Sequence, residues 1–247
     1  MTATFLDLFS VEKPILAMIH LKGENDEDIY RRMKRELDIY FRQQVDGIIL
    51  ENYFGEFRHL EKALEYVRSL SDNRTPIGVN CLNCDAMGFE LAHKYDADFL
   101  QLDSVVGHVK PRDEDTLRAF FELYRKRYPV KILGGVRFKY QPVLSQNTVE
   151  EDLKIAKTRC DAVCVTQEYT GQETSLEKIK TFRQGLGEFP LIIGAGVTPE
   201  TFEKQWEYAD GAIVGSYFKE GHKDIGEVCE KNVADMMSAV RKWREKQ

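Results

Sequence analysis

Eight short apolar runs punctuate the chain, at residues 15–21, 46–53, 76–83, 98–105, 130–137, 161–168, 190–197 and 211–218, each β-branched or aliphatic and bounded by turn residues. The stretches between them are charged and carry apolar residues at helical spacing, as in Ile29, Met33, Leu37 and Tyr40, or Leu60, Leu64 and Val67. Strand and helix alternate about once every 31 residues. That pattern predicts parallel strands joined by right-handed crossovers, and at eight strands the sheet closes into a single-domain (β/α)8 TIM barrel over residues 1–247. An open doubly wound sheet is the alternative. It ranks lower because the segment after the first run reads His20-Leu-Lys-Gly-Glu24 rather than a Gly-x-Gly-x-x-Gly turn. A last helix is expected over residues 228–246, with Val233, Met236, Met237 and Val240 inward.

Composition narrows the function classes. With 43% hydrophobic and 31% charged residues the chain reads as a globular protein, and a net charge of −6 offers no footprint for nucleic acid. No apolar run approaches bilayer length and residues 1–5 lack the pattern of a signal segment, so no membrane insertion and a cytoplasmic location are expected. Five cysteines, mostly within predicted strands, are expected to be thiols. Association into a homo-oligomer is left open.

Two glycine turns point to a ligand. Residues 191–200 read Leu-Ile-Ile-Gly-Ala-Gly-Val-Thr-Pro-Glu, and residues 210–219 read Asp-Gly-Ala-Ile-Val-Gly-Ser-Tyr-Phe-Lys. Each is an apolar run ending in glycine, where backbone N–H groups can meet an anion. Side by side at strands 7 and 8 of a barrel, Gly194, Ala195, Gly196, Gly215 and Ser216 form an expected phosphate-binding site. A phosphorylated small molecule is the partner they imply.

Polar residues at the C-terminal ends of barrel strands face the active site. Here those ends offer His20, Glu51 with Asn52, Asn80, Asp103, Arg137 with Lys139, and Glu168. Glu51 alternates in register with Gly47 and Ile49 and is the first choice as general base, a structural salt bridge being its plain reading. Asp103 can be the partner acid or a turn cap. Lys139 can contact phosphate, act as an electrophile or form a Schiff base, or lie solvated at the surface. His20 can relay protons or serve as a satisfied hydrogen-bonder. Asn52 and Asn80 suit hydroxyl binding and turn closure equally. Glu168 precedes Thr170 and Gly171, whose hydroxyl and N–H can meet an anion. A closed zinc site cannot be built from Cys81 and Cys84 alone. Mg²⁺ or Mn²⁺ held by Glu51, Asp103 or Glu168 is compatible with a phosphorylated substrate. The basic clusters at residues 31–35 and 124–128 read as solvated helix faces.

The motifs at residues 13–20, 45–56, 76–80, 166–171 and 194–219 resemble the BtpA/SgcQ family of barrel proteins, over nearly the whole chain. The resemblance implies the barrel independently of the periodicity. For function it implies several things: association with photosystem I accumulation, company with sugar-uptake genes, or a phosphoribosylanthranilate isomerase label. Glu51, Asn52, Lys139 and the glycine turns match the family pattern. The proline-rich loop usual after His20 is replaced by residues 22–26, the Arg-Asn-Asp after the third strand by Asn83-Cys84-Asp85, and the Lys-His after the fifth by Lys139-Tyr140. A variant substrate is therefore expected.

The expected function is that of an enzyme acting on a phosphorylated sugar or sugar-like molecule through proton transfer, as an isomerase, epimerase or lyase. One alternative is a non-catalytic assembly factor for a membrane complex. Another is a phosphoribosylanthranilate isomerase, which wants a cysteine–aspartate pair with Cys81 as its cysteine.

Overall fold

All eight apolar runs form strands, each shorter than its run. The computed structural model describes residues 4–70, 74–106, 114–143 and 145–247. Strands β1 (Ile15–Ile19), β2 (Gly47–Glu51), β3 (Ile77–Asn80), β4 (Phe99–Leu102), β5 (Lys131–Gly135), β6 (Ala162–Val165), β7 (Leu191–Ile193) and β8 (Gly211–Val214) pair in parallel in chain order, and β8 closes on β1. They are followed in turn by α1 (Asp26–Gln43), α2 (Phe57–Arg68), α3 (Asp85–Lys94), α4 (Glu114–Arg127), α5 (Val149–Arg159), α6 (Leu176–Leu186), α7 (Phe202–Trp206) and α8 (Glu230–Arg244). The result is the TIM barrel.

The helices start where side chains satisfy free N–H groups. Asn25 accepts from Asp28 N at the start of α1, Ser175 from Lys178 N at α6, and Thr148 with Glu151 forms a reciprocal box at α5. Each such cap contributes about 1 kcal/mol. Helix α8 is two residues shorter at each end than expected and buries Val233, Met236, Met237 and Val240. Helix α7, of five residues, is only about one turn and a half long.

Strand alternation divides the core in two. Leu16, Met18, Ile49, Phe99, Leu133, Cys164, Ile192 and Ile213 fill the lumen, while the alternate residues pack outward against the helices. Glycines make room for the bulkiest of these side chains: a Cβ on Gly78 would lie 2.2 Å from the Phe99 ring. Phe5 and Phe9, from the segment before β1, meet Phe99 with ring centroids 5.4 and 6.2 Å away, edge to face. This aromatic group fills the N-terminal end of the barrel, each phenylalanine contributing about 1.5–3 kcal/mol by burial.

A two-strand repeat holds that same end. Asp46, Asp98, Asp161 and Asp210 stand immediately before β2, β4, β6 and β8, and each accepts a backbone N–H at the start of the preceding strand. The donors are Ile15 at 2.7 Å, Ile77 at 2.8 Å, Ile132 at 2.9 Å and Leu191 at 2.8 Å. Three of these aspartates also pair with arginines from the helices: Asp46 with Arg244, Asp161 with Arg125 and Asp210 with Arg183. These carboxylates are structural, which leaves the other end of the barrel for chemistry.

Candidate active site at the barrel mouth

Following the inward parity one step beyond the apolar layers brings His20, Glu51, Asn80 and Asp103 together. Strand register sets Glu51 opposite Asn80. Asn80 Nδ2 donates to Glu51 Oε1 at 2.8 Å and to Asp103 Oδ1 at 3.0 Å, so one amide bridges two carboxyls. Gln101 Nε2 adds a longer contact to Asp103 Oδ1 at 3.4 Å. Burial pushes Glu51 up to about 7, reinforced by the Asp103 carboxylate and opposed by the Lys139 and Lys219 ammoniums and the Asn80 bond. Asp103 is raised too, chiefly by burial, with Lys139, Asn80 and Gln101 acting against the shift. A carboxyl held near neutrality can both take and return a proton.

The other oxygen of Glu51 faces His20, whose Nε2 lies 3.5 Å from Oε2. His20 is buried and stacked on Tyr53, with centroids 4.8 Å apart. Its Nδ1 lies 2.7 Å from Lys219 Nζ, and Lys219 is only 2% exposed. Burial, with the Lys219 and Lys139 charges, holds His20 well below the usual histidine range. At neutral pH its ring is uncharged.

Beside this network lies a cavity of about 110 Å³ between the ends of β7 and β8, lined by Gly194, Ala195, Gly196, Gly215, Ser216 and the Thr170–Gly171 turn, with His20 and Lys139 on its inner wall. Among the described residues, no turn or loop hydrogen bond occupies the N–H groups of Ala195, Gly196 or Ser216. Gly196 is required twice over: its φ is +72° and a Cβ there would lie 2.2 Å from Glu173 Cα. Gly215 is different, since an added Cβ would meet nothing closer than Met18 Cβ at 3.6 Å. The Lys139 N–H is held by Thr166 Oγ1 at 2.7 Å, and its ammonium, 5.5 Å from the Phe138 ring centroid, acts by its charge on Glu51 and Asp103.

Other residues of the expected ring lie elsewhere. Asn52 points away from Glu51 and accepts from Leu82 N at 2.8 Å, tying two loops together. Arg137, with φ +47°, turns outward to the fully buried Asp152 at 2.9 Å. Glu168 is exposed on the rim, three residues beyond the end of β6. Cys81 faces outward toward α3, and burial pushes its thiol up to about 11. Among the described residues, no three His, Cys, Asp or Glu side chains gather in a group suited to a metal ion. A larger groove, about 1070 Å³, opens at the opposite end of the barrel beside Asp46 and Arg244, where the charges serve the structural repeat.

Sequence reasoning overlooked Lys219, Gln101 and Thr166 as site residues. Gln101 and Thr166 carry a readable signal, the period-two parity of β4 and β6. Lys219 carries none, because 199 residues separate it from His20.

Comparison with known proteins agrees with this architecture. A protein of Pyrococcus horikoshii is 29% identical, over 94% of this chain and 98% of its own length. The photosystem I biogenesis protein BtpA of Synechocystis is 25% identical over 90% of this chain and 85% of its own. Among solved structures, KGPDC from Streptococcus mutans superposes with a TM-score of 0.64 at 12% identity, covering 93% of this chain and 98% of that one. Phosphoribosyl anthranilate isomerase from Thermus thermophilus gives 0.61 at 8% identity, covering 94% and 100%. At such identities the superpositions speak for the fold alone. Among the described residues no helix is long and apolar enough to cross a membrane. The BtpA family model matches residues 11–242, nearly the entire barrel, and the chain belongs to that family.

Proposed function

We propose that this protein is an enzyme acting on a phosphorylated sugar or sugar-like molecule by proton transfer, in an isomerisation, epimerisation or carbon–carbon cleavage. The observation that carries the reading is adjacency: a glycine-lined cavity opens beside a buried carboxyl poised near neutrality. The phosphate would sit among Gly171, Gly194 to Gly196, Gly215 and Ser216, where the N–H groups of Ala195, Gly196 and Ser216 can meet an anion while that of Gly194 is held by Val165 O at 2.7 Å. Held there, the sugar carbons lie over Glu51, and the entropic part of the barrier falls. Glu51 takes a proton from carbon and returns it, Asp103 serves as partner acid, and Lys139 stabilises the developing enolate oxygen. Melting temperature measured against a panel of sugar phosphates tests the binding half. Incorporation of solvent deuterium into any binder, lost in Glu51→Gln, tests the chemical half.

A second reading, a non-catalytic assembly factor, draws on the name of the Synechocystis relative and on the exposed aromatics Phe54, Tyr140 and Tyr169 that follow β2, β5 and β6. A stable protein partner retained by Glu51→Gln would favour it. The isomerase reading that relies on Cys81 draws no support from a thiol turned toward α3.

A further inference from the structure

His20 and Lys219 are joined across the seam where β8 closes on β1. Lys219 is anchored on every side. Its N–H donates to Ser216 O, its carbonyl accepts from Asn232 Nδ2 at 3.1 Å, and its ammonium donates to Asp224 O at 2.9 Å as well as reaching His20 Nδ1. An ammonium has donors and no acceptor, so the nitrogen it meets must present a lone pair. In a neutral imidazole that leaves the hydrogen on Nε2, the atom facing Glu51 Oε2.

We propose that Lys219 is a positioning residue that acts through His20: its ammonium holds the ring in the neutral Nε2–H tautomer and points that hydrogen at Glu51 Oε2. Glu51 is then bonded by Asn80 at Oε1 and faced by the His20 Nε2–H across 3.5 Å at Oε2. Stacking on Tyr53 fixes the plane of the ring. The charged groups facing Lys219 are Glu36 from α1, Asp224, Glu51 and Lys22, and those facing His20 are Glu51, Lys219 and Lys139, with the Asp224 carbonyl beside them. Burial lowers Lys219 below the usual lysine range, the Glu36, Asp224 and Glu51 carboxylates oppose that shift and support the ammonium, and the two lysines disfavour an imidazolium at His20. His20 therefore works as a fixed donor rather than as a titrating acid. This role rests on the proposed part of Glu51 in proton exchange, but the tautomer does not depend on any substrate.

Nitrogen NMR of protein labelled in the histidine rings tests it, with His20→Gln identifying the His20 signals. The wild type is expected to show a bare Nδ1 and a protonated Nε2, unchanged from about pH 8 down to about pH 5.5, across the range in which a free imidazole titrates. Lys219→Met should yield a tautomer mixture or a ring titrating in the ordinary range, and Lys219→Arg should keep the wild-type pattern. A protonated Nδ1 in the wild type, or an unaltered pattern in Lys219→Met, would overturn the proposal. If Lys219→Met does not fold, the wild-type spectrum decides. Once a turnover assay exists, Lys219→Met should lower kcat by about 10- to 100-fold at nearly constant KM; the reverse split would overturn the link to Glu51. Should no sugar phosphate bind, the enzymatic reading fails while the spectra still judge the tautomer.

Discussion

The side-chain nitrogen of Asn80 lies 2.8 Å from Glu51 Oε1, donating one of its two hydrogens there and the other to Asp103. Replacing Asn80 with leucine deprives two buried carboxyls of a donor. Urea unfolding should show a loss of about 1–3 kcal/mol at pH 8, where the groups are ionised, and a smaller loss at pH 5, where protonated carboxyls need the bond less.

Glu51 also links stability to pH. Its folded value of about 7 lies above the ordinary 4.5, so the folded state binds more protons between these limits and stability falls as pH rises through them. Glu36 on α1, pushed to about 7 by burial, acts in the same sense. His20 acts oppositely: depressed below 6.5, it contributes stability above that value which is lost as pH falls. Comparing wild type with Glu51→Gln cancels Glu36, and His20, which touches Glu51, adds its own change only below its ordinary value of 6.5. The glutamine variant should be more stable at pH 8 by up to roughly 3 kcal/mol, the gap closing toward pH 4.5, as measured by urea titration at several pH values.

Arg137 supports the wall rather than the mouth. Its Nε bonds the fully buried Asp152, and truncation to methionine leaves that carboxylate with Asn147 Nδ2 at 3.0 Å but without its cation. A loss of about 3–5 kcal/mol is expected in chemical denaturation. Ligand affinity of the remaining folded protein should be unchanged.

Gly196→Ala forces a side chain at positive φ into the backbone of Glu173. It should destabilise by about 1–3 kcal/mol, whereas Gly187→Ala, also at positive φ but with nothing within 4 Å of the added carbon, should cost less. Thermal unfolding of the two variants side by side checks the difference.

Much of this architecture is written in short-range pattern. Eight runs foretell eight strands, and the alternation Gly47, Ile49, Glu51 turns Glu51 inward as period two requires. The pattern misleads where strands stop early. Val165 ends β6, so Thr166 rather than Glu168 is the polar residue nearest the lumen parity. At Arg137 the same parity points inward, but a left-handed backbone turns the side chain out to Asp152. The four aspartates before the even strands are visible in the sequence, yet their bonding to the preceding strand is seen only once the barrel is closed. The Lys219–His20 contact depends on that closure as well, which no local spacing encodes.

The glycine cavity is proposed to hold a phosphorylated ligand, and Gly215 provides its cleanest probe. An added Cβ fits without collision, so Gly215→Asp should fold while placing a carboxylate in the cavity. Titration calorimetry of the sugar phosphate that most raises the wild-type melting temperature is the deciding measurement. The wild type is expected to bind it, with at least a roughly 10-fold loss in Gly215→Asp and both proteins folded. Equal affinity in the two proteins, or no binding of any sugar phosphate by the wild type at millimolar concentration, would contradict that role of the cavity.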